Sequence, residues 1–346
     1  MAKSAARLKD IAQQTGFSVN TVSLALRGSP RIPDETRRQI VEMADKMNYL
    51  PNQVAKSLVM KETRSIGLVL TDITNPVLTA VAQAVELELS RLGYITLFAT
   101  SNNQLDLERK VIETFRQRRA DGMLIFPCNH RQIDHIRKLR ARNYPVVLLV
   151  GDPDAGVDAV CMDERAGAFK ATTYLIDSGH RRIALIHSGG ENGNFEKLDG
   201  YKMALAAAGI PFDPDLLVAS RGHDVRNGFG AMETLSGRTT GATAVFCSND
   251  SLALGALRFC TVRGISVPRD LAIFGFDNIE FAEHAATALS SVNYDIEAIT
   301  GLAIERVISL INAKAEWPAP RVTLVEPDLV IRESTAGQWR PASRIG

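Results

Sequence analysis

Along residues 8–26 the apolar pattern breaks once and then resumes. Leu8, Ile11 and Ala12 fall on one helical face at i, i+3, i+4 spacing. Thr15-Gly16-Phe17 interrupts the pattern, and Val22 and Leu26 take it up again at i, i+4, where they can pack back on Ile11. Gly16 is free to adopt the positive φ of a tight corner. Ser18 suits the N-cap of the second helix, because its hydroxyl accepts an N–H of the first turn that has no helical partner. This spacing turns Val19, Asn20, Ser23 and Leu24 outward. Two short helices around a glycine corner, the second one polar, describe a helix-turn-helix whose second helix enters a DNA major groove. They describe an ordinary helical hairpin equally well. A third amphipathic helix follows, with Ile40, Met43, Ala44 and Met47 on its apolar face. Pro33 suits its first turn, and Asp34 and Glu35 complement its dipole. Ile32 falls at the N-cap, where it is a poor cap, so the start of this helix is expected to fray. Asn48 suits a left-handed stop, and Pro51 forbids continuation. Residues 52–58 are too few for a stable isolated helix and read as a linker.

From Ser65 onward the period changes. Ile66-Gly67-Leu68-Val69-Leu70 is a near-continuous apolar run, as in a strand buried on both faces. A helical stretch over 76–92 follows, and the cycle then repeats. Strands are predicted near 94–99, 122–126, 145–150, 182–187, 242–247 and 271–276. Helices are predicted near 105–118, 131–140, 164–178, 196–208, 225–235 and 252–262. This alternation implies doubly wound parallel sheets with helices on both faces.

The net charge of +1 conceals an asymmetry. Residues 1–64 hold eleven Lys/Arg and six Asp/Glu, leaving 29 basic and 33 acidic residues beyond. A basic head on an acidic body points to a polyanion met by the head alone. With 346 residues, 45% of them hydrophobic, the chain is long enough for two or three domains with real cores. Cys128, Cys161, Cys247 and Cys260 are scattered without a C-x-x-C pair, which argues against zinc or a disulfide framework and suits a reducing cytoplasm. The first residues are basic and alanine-rich but lack the apolar stretch of a signal peptide, and no run approaches the roughly 20 apolar residues that span a bilayer. The expectation is a cytoplasmic protein without a membrane association, without a cofactor and without a metal site.

The wording around these elements is more specific than their periodicity. L-x-D-I-A-x-x-x-G-x-S-x-x-T-V-S from Leu8 to Ser23, then Gly28-Ser29-Pro30, Glu35-Thr36-Arg37 and Asn48-Tyr49-x-Pro51-Asn52, resembles the headpiece of the LacI/GalR family of bacterial transcription regulators. The resemblance continues through Asp72-x-x-Asn75-Pro76, Arg119-x-Asp121-Gly122, Gly179-His180-x-x-Ile183-Ala184, Gly200-Tyr201, Asn249-Asp250-x-x-Ala253-x-Gly255 and Gly275-Phe276-Asp277, and stops near Thr335. It implies a helix-turn-helix headpiece over 1–50, a hinge helix or linker over 51–62, a two-lobed periplasmic-binding-protein-like α/β core for effector binding and dimerisation over 63–335, and a flexible tail over 336–346. Within the core it implies a first lobe over 63–161 with a return over 291–322. The second lobe then covers 162–290 and takes the final strand at 323–332. The tail lacks leucine heptads that build a four-helix tetramer, so a homodimer is expected.

By the same resemblance Val19, Asn20 and Leu24 contact bases of a palindromic double-stranded operator, and Thr21, Ser23, Arg27 and Thr36 meet its backbone. Ser18 and Asn52 belong to the same DNA-binding set. Leu58 matches a leucine that wedges into the minor groove, unstacking a base step at a cost of a few kcal/mol offset by added contact. In open α/β sheets ligands sit at the carboxyl ends of strands, and Asn75, Phe126, Val150, Asn249 and Asp277 all fall there. The resemblance carries effector contact to Asn75, Phe126, Lys197, His223, Asn249, Asp277 and Tyr294. Such amide, carboxylate and aromatic groups suit a carbohydrate, whose hydroxyls need hydrogen-bond partners and whose apolar face needs a flat surface. Each has an alternative: Asp277 capping a helix near Ile279, Asn249 as an N-cap, Phe126 as core, His223 on a surface loop. Three residues depart from the pattern. Leu24 replaces a base-reading arginine, Lys197 replaces an arginine and loses its fork, and Val150 replaces an aspartate that binds sugar hydroxyls.

The reading is a DNA-binding repressor, not an enzyme, with operator affinity under the control of a small-molecule effector. Control by a protein partner is the alternative within regulation. A solute-binding protein for transport is opposed by the headpiece. No P-loop, G-x-G-x-x-G after a strand, G-x-S-x-G elbow or metal-ligand spacing marks catalysis, and no catalytic residue is assigned. If Leu58 is the wedge, Leu58→Ala weakens specific binding more than non-specific binding in a titration at fixed salt, and equal loss on both removes the wedge.

Overall fold

Three helices, α1 (Leu8–Thr15), α2 (Val19–Leu26) and α3 (Asp34–Lys46), build the first of two compact units, Met1–Thr63, in the computed structural model. The structure describes residues 6–49, 62–151, 155–188, 195–313 and 317–336. Gly16 ends α1 at φ 73°, and the Ser18 hydroxyl accepts the Thr21 N–H at 3.1 Å to start α2. Ile11, Val22 and Ile40 are fully buried where the three helices meet, with Ala12, Ala25, Ile32 and Ala44 beside them. Two expectations need correction. Leu24 does not face outward: it is half-buried against this small core. Ile32 is not the cap of α3 but part of the core, and Pro33 is the N-cap. The helix start is braced without a side-chain cap, because the Arg37 guanidinium donates to the carbonyls of Ser29 at 3.0 Å and Ile32 at 3.1 Å. Asn48, at φ 47°, is the left-handed stop. The hinge at 52–58, with Asn52 and Leu58, lies outside the described residues.

The second unit, Arg64–Gly346, contains two six-stranded sheets. The first begins with β1 (Ser65–Leu70), α4 (Pro76–Arg91), β2 (Ile95–Thr100), α5 (Leu105–Gln117) and β3 (Gly122–Ile125). It continues through α6 (Asp134–Arg140), β4 (Val146–Leu148) and β5 (Asp158–Met162). The second begins with α7 (Glu164–Asp177), β6 (Ile183–Ser188), α8 (Glu196–Ala207), β7 (Leu217–Ser220) and α9 (Val225–Ser236). Next come β8 (Ala244–Cys247), α10 (Asp250–Arg263), β9 (Ala272–Asp277), α11 (Glu280–Glu283) and β10 (Ser290–Asn293). The chain ends with α12 (Ile296–Ile311), β11 (Val322–Val325) and β12 (Asp328–Val330).

The strand orders are β11-β5-β4-β3-β1-β2 and β12-β10-β9-β8-β6-β7, parallel throughout except for the antiparallel pair β10–β12. Leu68 and Val69 show why β1 reads as an unbroken apolar run: both are fully buried, in the separate cores on opposite faces of the sheet. β5 and β7 were not among the predicted strands. The carboxyl end of the chain also departs from the expectation. Ser290–Asn293 pairs with β9 in the second sheet, so the return to the first lobe starts after it, with α12 packed on α4, β3, β4 and β5. The expected final strand at 323–332 is two strands, β11 beside β5 in the first sheet and β12 beside β10 in the second. Hydrophobic pattern marks a strand but not its partner, and the break at Glu326-Pro327 carries the chain from one sheet to the other.

The α9–α10 pair packs backbone to backbone. A Cβ added at Gly228 would lie 2.1 Å from the Leu252 carbonyl oxygen, and one at Gly255 would lie 2.1 Å from that of Val225. Gly255→Ala is therefore expected to destabilise this unit by about 1–3 kcal/mol, the scale of core overpacking. A thermal melt coinciding with the unsubstituted protein would show that the helices part freely.

Candidate functional site

In the first unit, α2 presents Val19, 44% exposed, and Asn20 to solvent at its amino-terminal turn, next to the exposed Ser18. Thr21 is half-buried with its hydroxyl 2.8 Å from that of Ser18. Ser23 is half-buried, and its carbonyl accepts from the exposed Arg27 at 3.0 Å. Thr36 is half-buried on α3. Val19 and Asn20 are thus the predicted base readers that the helix leaves accessible, while Leu24 is drawn toward the core.

In the second unit, strand order reverses between β1 and β3 in one sheet and between β6 and β8 in the other. At such switch points the loops after neighbouring strands diverge and leave a crevice at the carboxyl edge. A cavity of about 500 Å³ lies there, lined by loops following β1, β3, β6, β7, β8 and β9. Asn75, Phe126, Lys197, His223, Asn249, Asp277 and Tyr294 all line it, as does Val150.

The loops are held by their own polar groups. The Asp72 carboxylate accepts the Thr74 N–H at 2.6 Å and the Asn75 N–H at 3.0 Å, and Asn75 Oδ1 then caps α4 through the Val77 N–H at 3.0 Å. Asn249 is an N-cap as well as a lining residue. Its Oδ1 accepts the Leu252 N–H at 2.7 Å, and its Nδ2 donates to the His223 carbonyl at 3.2 Å. Asp277 caps nothing: α11 has Ile279 at its N-cap with no side-chain bond. Asp277 instead holds φ 112°, a region L-residues rarely adopt. Burial pushes its carboxyl well above the usual range, against the pull of Lys197. Burial likewise pushes the Tyr294 hydroxyl up, with the nearby Glu164 adding to it. His223 stands on an exposed loop, and burial within the cleft together with Lys197 lowers its imidazole.

Lys197 is occupied within the protein. Its ammonium donates to the Ser248 carbonyl at 2.9 Å, lies 3.4 Å from Glu164 Oε1 and sits 3.8 Å from the centre of the Phe276 ring. Glu164 is 9% exposed, and its other oxygen, Oε2, is buried without a hydrogen-bond partner among the described residues.

Two regions of the chain match family models: bacterial regulatory proteins of the lacI family over residues 7–52, and a periplasmic binding protein-like domain over 172–335. The "Probable HTH-type transcriptional repressor ExuR" of Bacillus subtilis is 32% identical over 337 residues, covering 94% of this chain and 97% of that protein. The chain belongs to the LacI family of bacterial regulatory proteins. As a LacI-family chain it is a regulator and not an enzyme, as its relatives are. The lac repressor dimer bound to operator and the anti-inducer ONPF shares its fold, with TM-score 0.87, 22% identity and coverage of 96% of this chain and 100% of that one. The transcriptional regulator CelR in complex with cellobiose superposes with TM-score 0.70 at 28% identity, covering 95% and 99%. No helix among the described residues is long and apolar enough to cross a membrane.

Several lining residues of this LacI-family cleft escaped the sequence reading: Asp72, Cys128, His130, Glu164, His187 and Arg221. Asp72 follows β1, a signal the sequence carried. Glu164 and Arg221 follow β5 and β7, which were not predicted. Cys128 is fixed by Glu108, a fully buried carboxylate on α5 that accepts the Cys128 N–H at 2.7 Å and lies 2.8 Å from His135 Nε2.

Behind the cleft, the buried Asp250 carboxyl accepts the Ser291 hydroxyl at 2.6 Å and the Ile279 N–H at 2.9 Å, which holds the turn after Asp277. Burial pushes this carboxyl from an ordinary 3.8 up to about 7. Across that window the folded chain keeps a proton that the unfolded chain has released, so stability falls as pH rises from about 4 to about 7. Thermal melts over this range should show that decline, and Asp250→Asn should flatten it. Parallel curves for the two proteins would refute the assignment.

Proposed function

We propose that this protein is a homodimeric, sequence-specific repressor whose hold on a palindromic operator is set by a small carbohydrate-type effector bound between the two lobes. Residues 1–50 form the DNA-binding headpiece, 51–62 the hinge and 63–335 the effector-binding and dimerisation core. The observation that carries the reading is the convergence on one cavity of all seven residues assigned to the effector from scattered motifs. The cellobiose complex of CelR supports a sugar as the effector class. A volume of about 500 Å³ lies within the roughly 300–1,000 Å³ of small-molecule sites.

Dimer formation is supported by exposed large apolar side chains at the edge of the first lobe. Edge strand β2 leaves Ile95 65% and Phe98 46% exposed, and α4 leaves Leu87 55% exposed. A second copy removes this surface from water. Two headpieces then address two major-groove half-sites related by a twofold axis. An effector that touches both lobes favours one of their relative orientations, and a coupling of roughly 1–3 kcal/mol suffices to switch operator affinity.

Selection of duplexes from a random pool by the purified protein should return sites with twofold symmetry, and recovery of asymmetric sites alone would overturn the dimeric reading. On a selected site Asn20→Ala should cost about 1–3 kcal/mol of discrimination, the scale of one base-edge contact, and leave non-specific affinity unchanged at the same salt.

A further inference from the structure

Resting on the effector reading above, we infer that the effector is anionic: a polyol bearing a carboxylate or phosphate, with that group seated on Arg221 and a hydroxyl on Glu164. The charged groups of the cleft differ in whether the protein already satisfies them. Lys197 stands where the resemblance puts the ligand-binding cation, but the Ser248 carbonyl, Glu164 Oε1 and the Phe276 ring surround its ammonium. Its three donor directions are used inside the protein, so it positions Glu164 and does not serve the ligand.

Arg221 is the contrasting case. It lines the same cavity, and its guanidinium has no hydrogen bond, ion pair or ring contact among the described residues. The loop that carries it is nonetheless built. The Ser220 hydroxyl donates to the Gly222 carbonyl at 2.5 Å, and the Asn249 amide holds the His223 carbonyl at 3.2 Å. A planar fork of donors presented on a braced loop matches the geometry of a carboxylate or phosphate, and it bonds such a charged group more strongly than a neutral hydroxyl.

The rest of the cleft suits the same ligand. Burial favours the neutral form of Asp277, which weakens its repulsion of an anion. His223 and His187 are driven toward the neutral imidazole, which both donates and accepts. Glu164 Oε2 is a buried acceptor without a donor among the described residues, a deficit that one ligand hydroxyl removes. It also supplies a carboxylate to a cleft in which Val150 has none.

The test is calorimetric titration of the full-length protein with gluco, galacto and manno hexoses, each as the neutral sugar, the uronate and the 6-phosphate. A uronate or a 6-phosphate should bind more tightly than its neutral parent, and which of the two does so identifies the anionic group. Arg221→Gln should weaken that ligand roughly tenfold to a hundredfold, the scale of a hydrogen bond to a charged group, and leave binding of the neutral parent unchanged. Arg221→Lys, which keeps the charge and loses the fork, should fall between. Thermal melts of the ligand-free variants should match the wild type, because the side chain has no partner among the described residues to lose. A neutral sugar that binds as tightly as its acid and phosphate, with no effect of Arg221→Gln, overturns the inference and leaves the sugar-effector reading standing. Silence from the whole panel, with operator binding intact, overturns both.

Discussion

The chain passes between the two lobes three times, after Met162, after Asn293 and after Val325, and the geometry of the cleft depends on these crossings. Parallel strands bring all their carboxyl ends to one edge, and the crossings set the two edges facing each other. The turn following β9 sits among them under tight hydrogen bonding. Asn278 donates its N–H to Ser291 at 3.0 Å and its amide to Asn293 at 2.8 Å, and it accepts from Arg332 at 2.9 Å. Asp250 holds the next residue from below. Two successive residues with positive φ, Asp277 at 112° and Asn278 at 55°, are retained because these bonds over-determine them.

Electrostatics in the cleft follows from what is paired and what is not. The Lys197–Glu164 pair is shielded from water, with side chains 12% and 10% exposed, so its two charges serve mainly each other. An arginine at 197 has a fork to spare for a ligand, whereas a lysine contacting three groups has nothing left over. With Lys197 engaged in this way, Arg221 stands apart as a cleft-lining cation whose guanidinium has no partner among the described residues.

Much of this was legible in the sequence. The alternation of apolar runs and helical stretches gave the two wound lobes, because burial on both faces forces continuous hydrophobicity on a strand such as β1. Residues carried over from motifs converge on one cavity because most of them follow strand ends, with Lys197 reaching it from the first turn of α8. What escaped has physical causes. Leu24 lies on the edge of the apolar arc of α2, where a tertiary neighbour decides its burial. Ile32 looked like a weak cap because the brace from Arg37 comes from within α3 rather than from the residue before it. The short strands β10, β11 and β12 carry too few residues to declare a sheet, and their assignment comes from chain crossings that no local pattern encodes. Arg221 was hidden behind β7, whose Leu217–Ser220 span is only four residues long.

The backbone contact between α9 and α10 has a mechanical corollary. Where glycines let two helices touch main chain to main chain, no compressible layer of side chains lies between them, and the pair transmits force as a stiff beam. Because α10 begins at Asn249 and Asp250, a ligand that tugs on the Asn249 loop moves the beam and everything riding on it together. Deformation then concentrates in the slender connections to the first lobe, in the way a door panel stays flat while its hinges turn.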